Sequence, residues 1–221
     1  MDHPIFTESI RRIREALADP AAPAPWRQAA QRWPGGPERD VLERCIHSSG
    51  DLAIAPDLVI APPLAAAQGV QALAAGAVIL TDTAMAAAAV APMARRTFGN
   101  PVRCLLDWAP EQAPEGDTRS AAAVKAAWEE LTAVGKLAPV MLVGSAPTAL
   151  ERLLDLGLAP SLVIGMPVGF VGVAESKRRL AQSGLAHIRL EGSKGGAGLV
   201  AAACNALLRA AWIQAARSPR V

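Results

Sequence analysis

The sequence predicts an α/β protein: a three-layer, doubly wound sandwich with a mainly parallel five-stranded sheet and helices on both faces. Three observations carry this. Five short apolar runs recur along the chain, and a helical pattern follows each of them. The runs end in turns rich in Gly, Pro, Asp or Ser. No charge run or low-complexity block divides the 221 residues, so the chain reads as one domain over residues 1–221 with a substantial core.

Element by element, residues 5–18 place Ile5, Phe6, Ile10, Ile13 and Leu17 near a helical period. The proline-rich "DPAAPAPW" reads as a connector. A second helix is expected over 38–48, stopped at "SSGD" by Gly50, and these N-terminal helices, about residues 5–49, are expected to pack on the sheet. From there strand and helix alternate. "AVILT" at 77 is a strand and "MAAAAVAPMA" a helix. "VRCLL" at 102 is a strand, and the segment from Ser120 is a helix ending at Gly135. "PVMLVG" at 139, "SLVIG" at 161 and "HIRLEG" at 187 are strands. They are followed by helices through "TALERLLDLG", "VAESKRRLAQSG" and "LVAAACNALLRAAWIQ". Strands joined by right-handed helical crossovers lie parallel, with helices on both faces.

Composition bounds the function. Hydrophobic residues make up 52% of the chain and aromatics only 4%, so the interior is built largely of Ala and aliphatics. Cys45, Cys104 and Cys204 are few, odd in number and far apart, which argues against a disulfide framework or zinc knuckle and for a reduced, cytoplasmic setting. The N-terminus carries charges where a signal peptide needs an apolar stretch. The eleven-residue run "AMAAAAVAPMA" is too short to span a bilayer. A net charge of +2, spread along the chain, outlines no nucleic-acid stripe and mildly favours anionic small molecules.

Ligands of such a sheet sit at the C-terminal strand ends. There the sequence offers "TDTAM", "LDWAP", "GSAPT", "GMPVG" and "EGSKGGAG". Three are glycine turns opening helices, where free amides and the helix dipole suit an anion. None is a nucleotide fingerprint. "GMPVGFVG" leaves three and then two residues between glycines, and "GSKGGAG" lacks the P-loop order. Close packing of turn backbone on its neighbours is the other reading.

The candidate side chains each admit two roles. His47, at a helix end beside Arg44, is either a dipole-stabilised terminal histidine or a proton donor near neutrality. His187 reads as a buried, satisfied residue and His3 as idle. Thr118 or Ser120 caps a helix and leaves Arg119 either solvated or free for an anion. Lys194 is a solvated loop lysine or an anion partner, and Asp82 a catalytic group or a cap. No metal cluster, HExxH, GxSxG or spaced carboxylate pair is present. So thin a signature suits chemistry that needs shape, charge complementarity and one proton donor.

Read together, "ERCIHSSGD", "GAVILTDTAM", "DTRSAAA", "VGSAPTALERLL", "VIGMPVGFVGVAESK" and "GSKGGAGLVAAACNAL" closely resemble the precorrin-8X methylmutase (precorrin isomerase) family of cobalamin biosynthesis, over roughly residues 5 to 210. The resemblance implies a flavodoxin-like homodimer that moves a methyl group from C11 to C12 of a tetrapyrrole. The product is hydrogenobyrinic acid or its cobalt form, and the shift needs no cofactor and no resident metal. It places the catalytic histidine at His47. Ser9, Arg44, Arg119, Thr83 and Lys194 fall on substrate contacts, and Gly165 and Gly169 on a turn lining the cleft for a polycarboxylate. Ser48, Ser49, Ala84 and Ser145 depart from common family residues. A corrinoid carrier that hands its cargo to the next enzyme, and a nucleotide-binding flavodoxin-like protein, are the competing readings.

Overall fold

A computed structural model describes residues 3–133 and 137–217. Its helices are α1 (Pro4–Ala18), α2 (Ala24–Arg32), α3 (Gly36–Ser49), α4 (Ala65–Ala74), α5 (Ala84–Arg96), α6 (Arg119–Leu131), α7 (Pro147–Asp155), α8 (Val173–Gln182) and α9 (Ala197–Arg217). The strands are β1 (Leu58–Ala61), β2 (Ile79–Thr81), β3 (Val102–Cys104), β4 (Val140–Val143), β5 (Leu162–Gly165) and β6 (His187–Leu190).

The five expected strands are all present, but the sheet has six, in the order β1-β6-β5-β4-β2-β3. The extra strand, β1, pairs antiparallel with β6 at one edge. Its four apolar residues stand among prolines and lack the alternation that marks a strand from sequence. Two helices, α2 and α4, add to those expected. α2 begins inside the proline-rich stretch, which a helix tolerates because its first turn has no use for those amides. Half of α4 is Ala, so its apolar period is faint. The expected end of α6 at Gly135 lies outside the described residues.

Leaving β1 aside, the parallel strands run β3-β2-β4-β5-β6, the flavodoxin order, with the chain reversing its direction across the sheet between β2 and β4. Alternate strand residues serve opposite layers. Val140, Leu142, Leu162 and Ile164 face α9 and its neighbours. Met141, Val143 and Val163 face α6, α7 and α8. Gly69 lets α4 close onto this packing, since a Cβ there would lie 2.6 Å from Leu162 Cδ2. Among the described residues only α9 is long and apolar enough to cross a membrane. It is the central core helix, packed against α3, α4 and α5.

Asp82 fills the reversal point. The side chain is 1% exposed. Its Oδ2 accepts the amides of Gly144 at 3.0 Å, Ser145 at 2.6 Å and Ala146 at 2.8 Å, at the mouth of α7. The anion-binding turn that a flavodoxin-like nucleotide protein would offer is therefore satisfied from within. Asp82 holds one strand's end to the next rather than facing a ligand. Each buried donor stranded without an acceptor costs about 1–3 kcal/mol. Asp82→Ala should therefore lose at least about 3 kcal/mol in urea unfolding, and Asp82→Asn, which keeps an acceptor oxygen, should lose less.

Candidate active site

His47 stands in the last turn of α3, which ends where Gly50 adopts a left-handed φ of 67° and its amide donates to the Ile46 carbonyl. Arg44 lies three residues earlier, on the same face. Across from them α1 presents Phe6 and Ser9, also three residues apart. Ser9 Oγ lies 2.7 Å from His47 Nδ1. The Phe6 ring meets the imidazole edge-on at 5.1 Å, and the Arg44 guanidinium lies 4.7 Å from the centroid of the same ring. Phe6 thus separates a cation from the histidine and buries part of both. With Nδ1 engaged by Ser9, Nε2 is the nitrogen left to meet a ligand.

A buried carboxylate sets this juxtaposition. Glu43 is 2% exposed. Arg14 of α1 grips it twice, with Nε at 2.7 Å and Nη2 at 2.8 Å. Arg39 donates from Nε at 2.5 Å and, from Nη1, to the Ala30 carbonyl of α2 at 2.8 Å. Three helices are pinned at one point, one turn from His47.

Beside the Ser9–His47 pair opens a groove of about 760 Å³, within the range of small-molecule sites. Ile5, Ile13, Ile46 and Leu52 give it an apolar lining and Arg12 a charged one. On the other flank of α1 lies a hollow of about 710 Å³ that Arg44 and Arg209 line.

The β6–α9 loop reaches the same region. Lys194 Nζ donates to Asp51 Oδ2 at 2.7 Å, and Asp51 caps the short turn that follows α3. The structure thus gathers Ser9, Arg44 and His47, with Lys194 joined to them through Asp51. Thr83 and Arg119 stand elsewhere along the strand-end edge. Thr83 caps α5, accepting the Ala86 amide at 3.4 Å. Arg119 opens α6 and donates to the Pro110 carbonyl at 2.8 Å, while Thr118 supplies the cap.

The glycine turns are built for close approach. Gly165 is buried at the end of β5, and a Cβ there would lie 2.6 Å from Leu180 Cδ2. Gly169 has φ 136°, and its amide donates to the Ser193 carbonyl at 3.1 Å. A Cβ on Gly195 would fall 2.0 Å from the Met166 carbonyl oxygen. Any contact of Gly169 with a ligand runs through its Cα or carbonyl, because its amide is engaged. His187 is buried, with Nδ1 2.8 Å from the Leu185 carbonyl and Nε2 unpartnered. Among the described residues, no group of three or more His, Cys, Asp or Glu side chains could hold a metal ion.

The sequence model of the precorrin-8X methylmutase family matches residues 4–210. The chain belongs to this family. It is 34% identical to the cobalt-precorrin-8 methylmutase of Synechocystis, over 96% of this chain and 97% of that one. It is 43% identical to the precorrin-8X methylmutase of Pseudomonas aeruginosa, over 74% of this chain and 80% of that one. The crystal structure of precorrin-8x methyl mutase from Thermus thermophilus superposes with a TM-score of 0.77 at 35% identity, covering 95% of this chain and 96% of that one.

Several residues that shape the site carry no signal in the sequence alone. Phe6 reads as one more apolar position of α1. Glu43 and Arg14 are 29 residues apart. Lys177, on a polar helix, reads as solvated yet is buried. The cue available for Phe6 was spacing: two residues three apart on α1 match two residues three apart on α3.

Burial, and then the Arg44 charge, hold the His47 imidazole below its usual range. The sign for stability follows. The unfolded chain takes up the proton near pH 6.5 and the folded chain only at lower pH. Stability is therefore lost as pH falls from about 6.5 through the folded value. In an NMR titration the His47 ring should titrate below 6.5, and Arg44→Gln should move it upward. An unchanged midpoint in Arg44→Gln would show that burial alone sets the shift.

Proposed function

We propose that this chain carries out the intramolecular methyl shift of precorrin-8X, or of its cobalt form, in cobalamin biosynthesis. The observation that carries the reading is the Ser9–His47 pair at the groove, with Arg44 across the Phe6 ring. His47 Nε2 donates a proton or hydrogen bond to a ring nitrogen of the macrocycle and draws electron density toward it. The C11–methyl bond breaks and the C12–methyl bond forms within one molecule, so no step asks for a cofactor. Ser9 fixes the ring by holding Nδ1. A positioned general acid contributes about a hundredfold to ten-thousandfold.

The substrate's side-chain carboxylates meet Arg44, Arg119 and Lys194, and Thr83 supplies a hydroxyl. Arginine's planar fork suits carboxylates. Gly169 lets backbone approach the flat ring closely, whereas the missing side chain of Gly165 makes room for Leu180 in the core. Two chains associate through the turn before α8, a reading supported by Phe170 and Val171, which are 96% and 87% exposed in one chain. Apolar side chains so exposed in adjacent positions mark an interaction surface. The protein works in the cytoplasm and passes its product to the following enzyme of the pathway.

The visible spectrum of precorrin-8X mixed with protein tests the reading, because the shift alters the conjugated system. Wild type should convert the spectrum, and His47→Ala should bind substrate while losing at least about a hundredfold in turnover. Conversion at an equal rate by both would remove His47 from the chemistry. Binding without conversion by the wild type would indicate a carrier. Light scattering after size exclusion should give a dimer for wild type and a monomer for Phe170→Glu; a wild-type monomer would refute the association.

A further inference from the structure

Lys177 of α8 is the largest side chain buried without residual exposure. Lysine is almost never fully buried unless paired, and burial of its charge is costly. Here its ammonium donates to two carbonyls of the β6–α9 loop, Gly192 O at 2.9 Å and Lys194 O at 2.6 Å. Between them stands Ser193, whose carbonyl accepts the Gly169 amide at 3.1 Å. Three residues after Ser193, the Gly196 amide donates to the Met166 carbonyl at 2.8 Å. The outward side of the same loop carries the Lys194–Asp51 pair, at 2.7 Å. Beneath it, one buried cation gathers two carbonyls of the loop.

We propose that Lys177 is a positioning residue: it holds the Gly192–Lys194 loop in the one conformation that sets Lys194 at the end of the His47 helix, and through Lys194 it governs binding of the anionic substrate. The proposal rests on the assignment of Lys194 as a carboxylate contact. Lys177 itself touches no ligand, since it is closed off from the surface. A lysine suits the task because one nitrogen directs several donors at once. Arg189 of β6, Glu191 just after it and Asp57 ahead of β1 face it, and Arg189 and Glu191 pair with each other. Burial lowers the ammonium from its ordinary value of 10.5 to about 8.

The test is a double-mutant cycle on KM and kcat with precorrin-8X, using Lys177→Met, Lys194→Ala and the double variant. Methionine keeps the length and removes the donors. Lys177→Met should raise KM roughly tenfold, the worth of one charge-assisted hydrogen bond, with kcat little changed. The double variant should be no worse than Lys194→Ala alone. A folded Lys177→Met with wild-type KM, or effects that multiply, would overturn the role of Lys177 while leaving that of Lys194 intact. An unchanged KM in Lys194→Ala would refute the assignment beneath it, and the proposal with it. If Lys177→Met does not fold, Lys177→Gln takes its place: it keeps a polar end but is one atom too short to hold both carbonyls, and it should raise KM in the wild-type background and not in Lys194→Ala. A folded Lys177→Gln with wild-type KM overturns the proposal.

Discussion

The Glu43 carboxylate is the joint from which the site hangs. α1 touches the rest of the molecule chiefly through α3 and α2, so its placement depends on few contacts. Arg14 gives it a bidentate hold on a buried anion, and Arg39 adds a second cation tied to α2. A buried charge stripped of its partner costs several kcal/mol, so such a clamp has one satisfactory geometry. That geometry puts Ser9, one and a half turns before Arg14, within 2.7 Å of His47, one turn after Glu43. The precision of the serine–histidine contact is borrowed from a cluster that takes no part in the groove.

The sheet makes a different contribution. In an open α/β sheet the reversal point between strands is the usual ligand crevice. Here Asp82 occupies it, and the 166–169 turn packs backbone to backbone on the β6–α9 loop. Both features make the strand-end edge rigid. They leave its backbone amides engaged, so that in the proposed reaction anion recognition falls to side chains: Arg44, Arg119 and Lys194. A flat ligand with carboxylates spread around its rim suits separated guanidinium and ammonium groups better than one phosphate cradle does.

The sequence made the parallel strands and most of their crossover helices legible, because buried strands are short apolar runs and crossover helices show a 3.6 period. β1 was not legible: four residues at an antiparallel edge carry no pattern of their own and are strands only because β6 lies alongside. α4 hid in an alanine run, and α2 behind prolines that its first turn accommodates. For the site, the types of Ser9, Arg44 and His47 were legible, but their meeting was not, since Ser9 and His47 are 38 residues apart. Asp82 was ambiguous between catalysis and capping because both roles ask for a carboxylate at a strand end. Only the three amides converging on Oδ2 separate them. Lys177 and Glu43 were invisible for the same reason, as charged residues on helices read as solvated until a buried partner is found.

Arg44 acts on His47 in two opposed ways within the proposed reaction. In the empty site its charge opposes protonation of the imidazole, which would weaken a general acid. In the proposed reaction a substrate carboxylate seated on Arg44 offsets that charge, which removes the smaller of the two causes that hold the imidazole down; burial, the larger, stays. An arginine three residues from an acid is thus no flaw, because it couples the acid's readiness to occupancy of the site. A protein that only carried the macrocycle would have equal use for Arg44 and Lys194. It would have none for a serine that fixes one ring nitrogen of His47 and leaves the other to the groove.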